Sequence, residues 1–317
     1  MSRIRNTMND SLAIAIPSFN RVDILERNLS EIICQAKEYS VNIYISDDSD
    51  DREVQQLIHT LSTQYENLFI FNNDPRLGHD KNFLTALSLP VAGYVWVLGD
   101  SVSIKQNAIK KLLKIISKYQ PNIIGVNADN RRINYKNAIY TDPKTVFNQF
   151  AWHLTYTGTT IFSRKAIDEI KKFNISKFRN FPQIALIFHC LANQCSFYWV
   201  NDDLVFGNRS KESYWYKTVF RTFITDWEEA VQNLPNVYHP DLKQKVILEH
   251  SEKSGLFSFR SLLKMRYLGV FNKTILNKYK LLLIAHSGNY HFFIYIIAIM
   301  PLWMIKIALK ISKVIRK

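Results

Sequence analysis

The sequence predicts an α/β fold, a mostly parallel sheet flanked by helices, followed by a helical extension that is both basic and apolar. Three observations predict it. Short, continuous apolar runs recur across residues 12–127, too short for helices and apolar on both faces, as strands covered on both sides require. Stretches of helical periodicity separate those runs. Beyond Glu252 the chain carries no acidic residue at all.

Leu12-Ala13-Ile14-Ala15-Ile16 reads as the first strand, stopped by Pro17, with Ser18-Phe19-Asn20-Arg21 as the loop after it. Asp23 stands at an N-cap position before a helix with Leu25, Leu29, Ile32 and Ile33 on one face. Residues 41–46 form a second strand that runs into Asp47-Asp48-Ser49-Asp50-Asp51, four carboxylates in five residues. A helix over 53–65, a strand over 68–71, a loop over 72–78 and a helix beginning at Asn82 follow. Tyr94-Val95-Trp96-Val97-Leu98 is the fourth strand, and Gly99-Asp100 breaks it with a turn that lifts a carboxylate beyond the sheet edge. A lysine-rich amphipathic helix over 106–119 comes next, then strands over 122–127, 157–164 and 197–200. Right-handed crossovers gather the loops after parallel strands at one edge of the sheet. A ligand that needs hydrogen bonds and a cation is expected there.

The 317 residues carry a net charge of +14, of which +12 lies after Glu252, leaving +2 for residues 1–252. Basicity is therefore a property of one segment. A hydrophobic content of 47% with nine Gly and nine Pro argues for a packed core. Cys34, Cys190 and Cys195 lack metal-ligand spacing, and their odd number fits a reduced, cytosolic chain; no signal peptide is read at residues 1–17. Residues 292–305 are apolar for 14 positions, short of the ~20 that span a bilayer, which favours an interfacial or re-entrant placement. Lys306, Lys310, Lys313 and Lys317 share a helical face, with Met304, Ile307, Ile311, Val314 and Ile315 opposite and Trp303 suited to the interface. An anionic membrane surface is the expected partner. The apolar run argues against nucleic acid, and packing against the N-terminal domain or a second subunit of a homo-oligomer is the alternative.

Ile16-Pro17-Ser18-Phe19-Asn20-Arg21, Ile45-Ser46-Asp47-Asp48-Ser49, residues 73–78 and Leu98-Gly99-Asp100 follow one another in an order that resembles the nucleotide-sugar half of family 2 glycosyltransferases with the GT-A fold. The similarity is greatest to bacterial enzymes of surface-polysaccharide synthesis; it covers residues 12–104, and more weakly as far as about 208. The resemblance implies a GT-A domain over residues 1–225, and the basic and apolar composition beyond it predicts a membrane-associating helical segment over 226–317. The resemblance also implies transfer of a sugar from a nucleoside diphosphate, UDP being expected, with inversion, to a hydroxyl of a lipid-linked glycan. The place implied is the cytoplasmic face of the plasma membrane, with the protein peripheral to it.

Residue by residue, the resemblance sets Pro17 and Ser18 against the nucleotide through backbone groups and Arg21 near its ribose or phosphates, with Asn20 in the same donor-binding set. Asp47 is to accept the base N–H, with Asp48 and Ser49 beside it, while Arg76, Gly78 and Asn82 line the base and ribose pocket. Asp100 is the first carboxylate of a metal-binding Asp-x-Asp pattern, holding Mg²⁺ or Mn²⁺ on the diphosphate, with Ser101 next to it.

Two departures from the family stand out. Val102 replaces the final metal carboxylate, so either Asp100 with Ser101 holds the cation or basic side chains such as Arg131 or Arg132 neutralise the leaving group. The family's Glu-Asp, which supplies the base, is replaced by Asn180-Phe181-Pro182-Gln183-Ile184. His153 is then the candidate base, with Asp202 and Asp203 as alternatives and His189 read as a core residue. Tyr214, Trp215, Tyr216 and Trp227 offer either a sugar platform or interior packing. A catalytically degenerate nucleotide-sugar-binding scaffold and a nucleotidyltransferase of similar fold are the competing classes.

Overall fold

The computed structural model describes residues 11–129, 131–207, 214–287 and 291–314. The chain divides into two compact units, Met1–Lys211 and Glu212–Lys317.

The first unit opens with β1 (Leu12–Ser18), α1 (Val22–Tyr39), β2 (Asn42–Asp47), α2 (Glu53–Ser62), β3 (Leu68–Asn72), α3 (His79–Ser88) and β4 (Tyr94–Val97). β1 pairs in parallel with β2 on one side and β4 on the other, and β2 pairs in parallel with β3. From β1 the chain therefore winds outward to β2 and β3, then returns to place β4 on the opposite flank. Beyond the strand ends at such a reversal, between the loops after β1 and β4, doubly wound sheets hold their ligand crevice.

Pro17 does not end β1: it pairs with Ser46, and the strand runs on to Ser18. The Ala15 carbonyl faces β4, accepting from the Leu98 N–H, so Pro17, two residues on, faces the same side. β4 has already ended at Val97, and a missing N–H is tolerated where no neighbour remains to accept it. Helix α1 also starts earlier than Asp23 suggested, with Arg21 at the N-cap and Asp23 inside the first turn. It buries Leu25, Leu29, Ile32 and Ile33 and stops at Ser40, whose left-handed φ of 52° lets its N–H reach the carbonyls of Ala36 and Lys37.

The rest of the unit comprises β5 (Val102–Ile104), α4 (Ala108–Tyr119), β6 (Ile123–Ala128), β7 (Ala138–Tyr140), α5 (Pro143–Leu154), β8 (Thr160–Ser163), α6 (Arg164–Asp168), α7 (Pro182–Ala192) and β9 (Phe197–Gly207). The sheet order is β3-β2-β1-β4-β8-β6-β9-β5, with β7 on β9. Beyond β4 the sheet is mixed: β8 runs antiparallel to β4 and β6, whereas β6 and β9 are parallel. Asp202 and Asp203 lie inside β9, which is longer than the run 197–200 suggested, and a register shift at Asn127 accommodates them. Helix α4 buries Ala108, Ile109, Leu112, Ile115 and Ile116 on one face, as its period requires. Cys190 and Cys195 are joined by a disulfide instead of remaining free thiols, and Cys34 is free. The turn that ends α7, where the Cys195 N–H donates to the Cys190 carbonyl, sets their Cα atoms 5.4 Å apart.

The second unit is helical: a 3₁₀ turn at Tyr214–Thr218, a π-helical turn at Arg221–Asp226, then α8 (Trp227–Gln232), α9 (Pro240–Ser254), α10 (Phe259–Tyr267), α11 (Lys273–Ser287), α12 (His291–Ile299) and α13 (Leu302–Val314). It has its own core, in which Phe220 stacks on Phe257 and Phe271 beside Leu263, Ile294, Ile297 and Ile305. Trp227 is fully buried and Tyr216 packs against this core, so interior packing is their role. The side chains of Tyr214 and Trp215 lie outside the described set, as do those of Lys310, Ile311, Lys313, Val314, Ile315 and Lys317. Among the described residues no helix is long and apolar enough to cross a membrane.

Candidate active site

The loops after β1 and β2 are sewn together by short polar side chains. Asn20 adopts a left-handed φ of 48°. Its side-chain amide donates to Asp50 at 2.9 Å, its side-chain oxygen accepts the Asp50 N–H at 3.0 Å, and its own N–H donates to Ser49 Oγ at 2.9 Å. The Ser49 hydroxyl donates in turn to Asp47 Oδ1 at 2.6 Å, and the Ser49 N–H reaches the same oxygen at 3.2 Å. Asp47 is buried at the end of β2. Burial raises its pKa, the two Ser49 hydrogen bonds oppose that, and the carboxylates of Asp51 and Asp48 push it further up.

Asp48 binds the loop after β3. Oδ1 accepts the Leu77 N–H at 2.7 Å and Oδ2 the Gly78 N–H at 2.8 Å, with Arg76 Nε 3.5 Å away. Gly78, at φ 82°, is the N-cap of α3, a conformation for which glycine carries no steric penalty. The Arg76 guanidinium lies 3.8 Å from the centre of the Phe19 ring and 3.4 Å from Asp50. Buried Asn82 donates to the Ser18 carbonyl at 3.1 Å and accepts from Asn73 at 3.1 Å. The Ser18 carbonyl also takes the Asp48 N–H, whereas the Ser18 hydroxyl is buried with no partner. Pro17, Ser18, Asn20, Arg21, Asp47, Asp48, Ser49, Arg76, Gly78 and Asn82 are thus drawn together at the ends of β1 and β2, although they span more than sixty positions of sequence.

Asp100 sits on the other lip of the crevice, after β4. Its Oδ1 is 3.2 Å from Arg21 Nη1, and the pair is only 17% and 12% exposed. Burial raises the Asp100 pKa, against the opposing effects of Arg21 and of the Ser101 and Phe19 N–H groups. Sequence reasoning missed Asn28, a buried polar residue in the apolar stripe of α1. It donates to the Asp100 carbonyl at 2.7 Å and accepts from Ser103 at 2.5 Å, which fixes the turn from below. An amide interrupting the run Leu25, Leu29, Ile32 was the signal that could have revealed it.

Val102 is 3% exposed, part of the same apolar cluster as Leu98. A Cβ added to Gly158 would meet its Cγ1 at 3.0 Å, so the Val102 side chain fills the floor beneath Gly158. The oxygens available to the expected Mg²⁺ or Mn²⁺ reduce to one carboxylate, already paired with Arg21, and the Ser101 hydroxyl. No group of three His, Cys, Asp or Glu side chains converges on a metal-sized site among the described residues. One carboxylate and a neighbouring hydroxyl match a Mg²⁺ or Mn²⁺ that keeps most of its coordination in waters and donor phosphates, so Asp100 and Ser101 are the residues that would hold it.

On the acceptor side, His153 is not placed to act as a base. It is fully buried, with Nδ1 2.9 Å from the Arg131 carbonyl and Nε2 3.0 Å from the Val126 carbonyl, edge-on to the rings of Trp152 and Trp199. Burial, helped by the charge on Arg131, lowers its pKa to about 3. His189 stacks on Phe173 at 3.9 Å. Asp202 pairs with Lys111 at 2.9 Å on α4, and Asp203 pairs with Arg132 at 3.6 Å. Arg131 donates to Thr155 at 3.1 Å and to the Trp152 carbonyl, with its guanidinium over the Trp152 ring. Gln183, in the region where the family carries its carboxylate, donates to the Thr155 carbonyl at 3.1 Å. Asp80, in the first turn of α3, accepts the Asn180 N–H at 3.0 and 3.2 Å and so ties the approach to α7 to the donor side; its position in sequence carried no sign of this.

Residues 13–173 match the family model described as Glycosyl transferase family 2. Among curated proteins, the abequosyltransferase RfbV of Salmonella typhimurium (strain LT2) is 29% identical over 100 residues, 31% of this chain and 30% of that protein. The match therefore spans less than a third of the relative's length. Two solved structures share the fold. S. aureus TarS 1-349 in complex with UDP-GlcNAc superposes with a TM-score of 0.58 at 13% identity, over 95% of this chain and 92% of that one. The mannosyltransferase PcManGT from Pyrobaculum calidifontis, in complex with GDP-Man and Mn²⁺, gives 0.56 at 11% identity, over 96% and 87%.

Proposed function

Because this chain belongs to glycosyl transferase family 2, we propose that it moves a sugar from a nucleoside diphosphate to a hydroxyl of a lipid-linked glycan of the bacterial cell surface. The observation that carries this reading is the crevice at the strand reversal. There, three loops tied together through Asn20, Ser49 and Asp48 face the Arg21–Asp100 pair. Buried Asp47, at the end of β2, is an acceptor for a base N–H, and the exposed Arg76 platform over Phe19 suits the flat face of a base. In the transfer the bond from sugar C1 to the β-phosphate oxygen breaks and its electron pair leaves with the diphosphate. The acceptor oxygen bonds to C1 from the opposite face, with inversion, and its proton passes to water. The relatives bound to UDP-GlcNAc and GDP-Man support a nucleotide-sugar donor, and UDP is the nucleotide we propose.

The second unit supports a peripheral site on the cytoplasmic leaflet, where a lipid-linked acceptor would be met. Its side chains Phe292, Trp303 and Ile307 are exposed, as is Lys306, in a segment without acids.

A second reading, a nucleotide-sugar-binding scaffold without turnover, is favoured by Val102, which stands where a metal carboxylate was expected, and by the run 180–184, which lacks the family's carboxylate. Incubating the purified protein with UDP-, GDP- and CDP-sugars and following release of the nucleoside diphosphate separates the two. Release from one donor class supports transfer, binding without release supports the scaffold, and neither binding nor release defeats both.

A further inference from the structure

Helix α4 is charged in a way that its own stability does not explain. α1, α2 and α3 each carry an acidic residue in the first turn, Asp23, Glu53 and Asp80, as the helix dipole favours. α4 has none there, and Lys110 and Lys111 stand near its start, where a cation is disfavoured. The helix holds four lysines and no acid, although residues 1–252 together carry a net charge of only +2. Lys111, Lys114 and Lys118 recur at intervals of three and four, so they share one face of the helix. That face borders a cavity of about 200 Å³, lined also by Tyr119 and by Tyr198 and Asp202 of β9. Tyr198 is buried and its ring stacks on Tyr119 at 4.9 Å. The Lys118 ammonium lies 4.9 Å from the centre of the Tyr119 ring. Asp202 is the one carboxylate in the lining, and Lys111 pairs with it at 2.9 Å. Three ammonium groups against one carboxylate leave positive charge in excess. The cavity is also separate from the crevice. β6 and β9 run in the direction of β4, because β8 is antiparallel to both β4 and β6. Tyr198 is among the opening residues of β9, so the cavity lies toward the amino ends of these strands, and the crevice lies beyond the carboxyl ends.

We propose that this cavity is a second binding site, which takes the phosphate group of an anionic ligand on Lys111, Lys114 and Lys118. Its volume is below the roughly 300–1,000 Å³ of sites that enclose a drug-sized ligand, so it suits one small head group. An arginine fork matches a planar carboxylate, and no arginine lines the cavity. Separate ammonium charges instead suit a group with several charged oxygens. The buried Tyr198 ring keeps water from one side of the site, which strengthens each contact between charges. Lys111 is held by Asp202 before a ligand arrives, so an incoming phosphate competes with that carboxylate. A free phosphate ester and the head group of an anionic lipid both present this chemistry.

The test is calorimetry of the full chain with glycerol phosphate, with glycerol, and with dihexanoylphosphatidic acid held below the concentration at which it forms micelles. The first and last carry the same phosphate monoester, once free and once on a lipid. Both should bind the wild type, glycerol should not, and raised salt should weaken both. Lys114→Gln combined with Lys118→Gln should weaken both by about tenfold, the joint scale of two exposed ion pairs. Both lysines are exposed and glutamine sustains a helix about as well as lysine, so the thermal midpoint should hold. Asp202→Asn should tighten both by about two- to fivefold through the release of Lys111, and it decides the question if the lysine variant does not fold. Equal affinity for the two phosphates assigns the site to a free phosphate ester. A lipid bound at least tenfold more tightly assigns it to a head group, and either result supports a phosphate site. Phosphate held elsewhere on the chain would be indifferent to these substitutions, so wild-type affinity in the lysine variant overturns the proposal. So does failure of both phosphates to bind, or weaker binding by Asp202→Asn.

Discussion

Asp47 is held between opposing influences: burial and neighbouring carboxylates favour its protonated form, while two hydrogen bonds from Ser49 favour the charged one. A carboxylate with one oxygen so engaged is oriented before any ligand arrives. Asp47→Ala should weaken nucleotide binding by about 1.5–3 kcal/mol, the scale of a hydrogen bond to a charged group. Calorimetry giving the wild-type affinity would remove Asp47 from base recognition. At the same scale His153 shows where sequence reasoning stops. A histidine ahead of a glycine-containing strand looks the same in sequence whether it faces a substrate or a core. Only folding decided that both ring nitrogens meet backbone carbonyls. That burial has a consequence in pH. With a folded pKa of about 3 against an unfolded value near 6.5, His153 favours the folded state fully above about pH 6.5. As pH falls from there towards 3, the unfolded chain takes up a proton that the folded one refuses, a loss of about 1.4 kcal/mol per pH unit. The wild type should therefore lose stability faster than His153→Gln between pH 6.5 and 4 in denaturant titrations. Parallel slopes would show that His153 titrates normally.

At the scale of elements, β1 and β4 were legible because each is a short apolar run with both faces covered, at residues 12–16 and 94–98, whereas the parallel edge strand β3 is largely exposed and was legible from its apolar residues alone. The three-residue strands β5 and β7 were not, since three residues establish no period and their pairing with β9 is tertiary. The acidic turn 47–51 was legible as a polar loop, but its division of labour was not. Asp48 depends on Leu77 and Gly78, some thirty positions away, and reads as a solvated carboxylate until that loop folds back. This makes Asp48 the tie between β2 and α3. Asp48→Ala leaves two backbone N–H groups without their acceptor, which should destabilise the protein by about 2–4 kcal/mol and expose the loop 73–78 to proteolysis. Asp48→Asn keeps an acceptor oxygen and should lose about half as much. If both variants unfold at the wild-type midpoint with the loop still protected, Asp48 faces the ligand and not the loop.

For the whole molecule, the sharpest contrast is the distribution of charge, with +12 of the net +14 placed after Glu252. The fold of the second unit refines what that segment does. The apolar run 292–305 is not one continuous surface: Ile294, Ile297, Ala298 and Ile305 enter the unit's own core, while Phe292 is 74% and Trp303 65% exposed. Deleting everything after Asn289 would remove core as well as surface, so loss of lipid binding by that truncation would not distinguish docking from unfolding. Substituting the exposed side chains alone does. Phe292→Ser, Trp303→Gln and Ile307→Ser remove apolar area that a bilayer would cover, worth up to about 1.5–3 kcal/mol each when fully buried. Lys306→Glu reverses a charge worth about 1 kcal/mol at an anionic surface. The combined variant should keep its thermal midpoint and nucleotide affinity yet no longer float with vesicles containing anionic lipid. Wild-type binding should survive raised salt in part, because apolar insertion is not screened as the lysines are. If the variant floats as the wild type does, the membrane is not the partner of this face. If it instead converts a dimer to a monomer in light scattering, the exposed side chains belong to contacts between two copies of the chain.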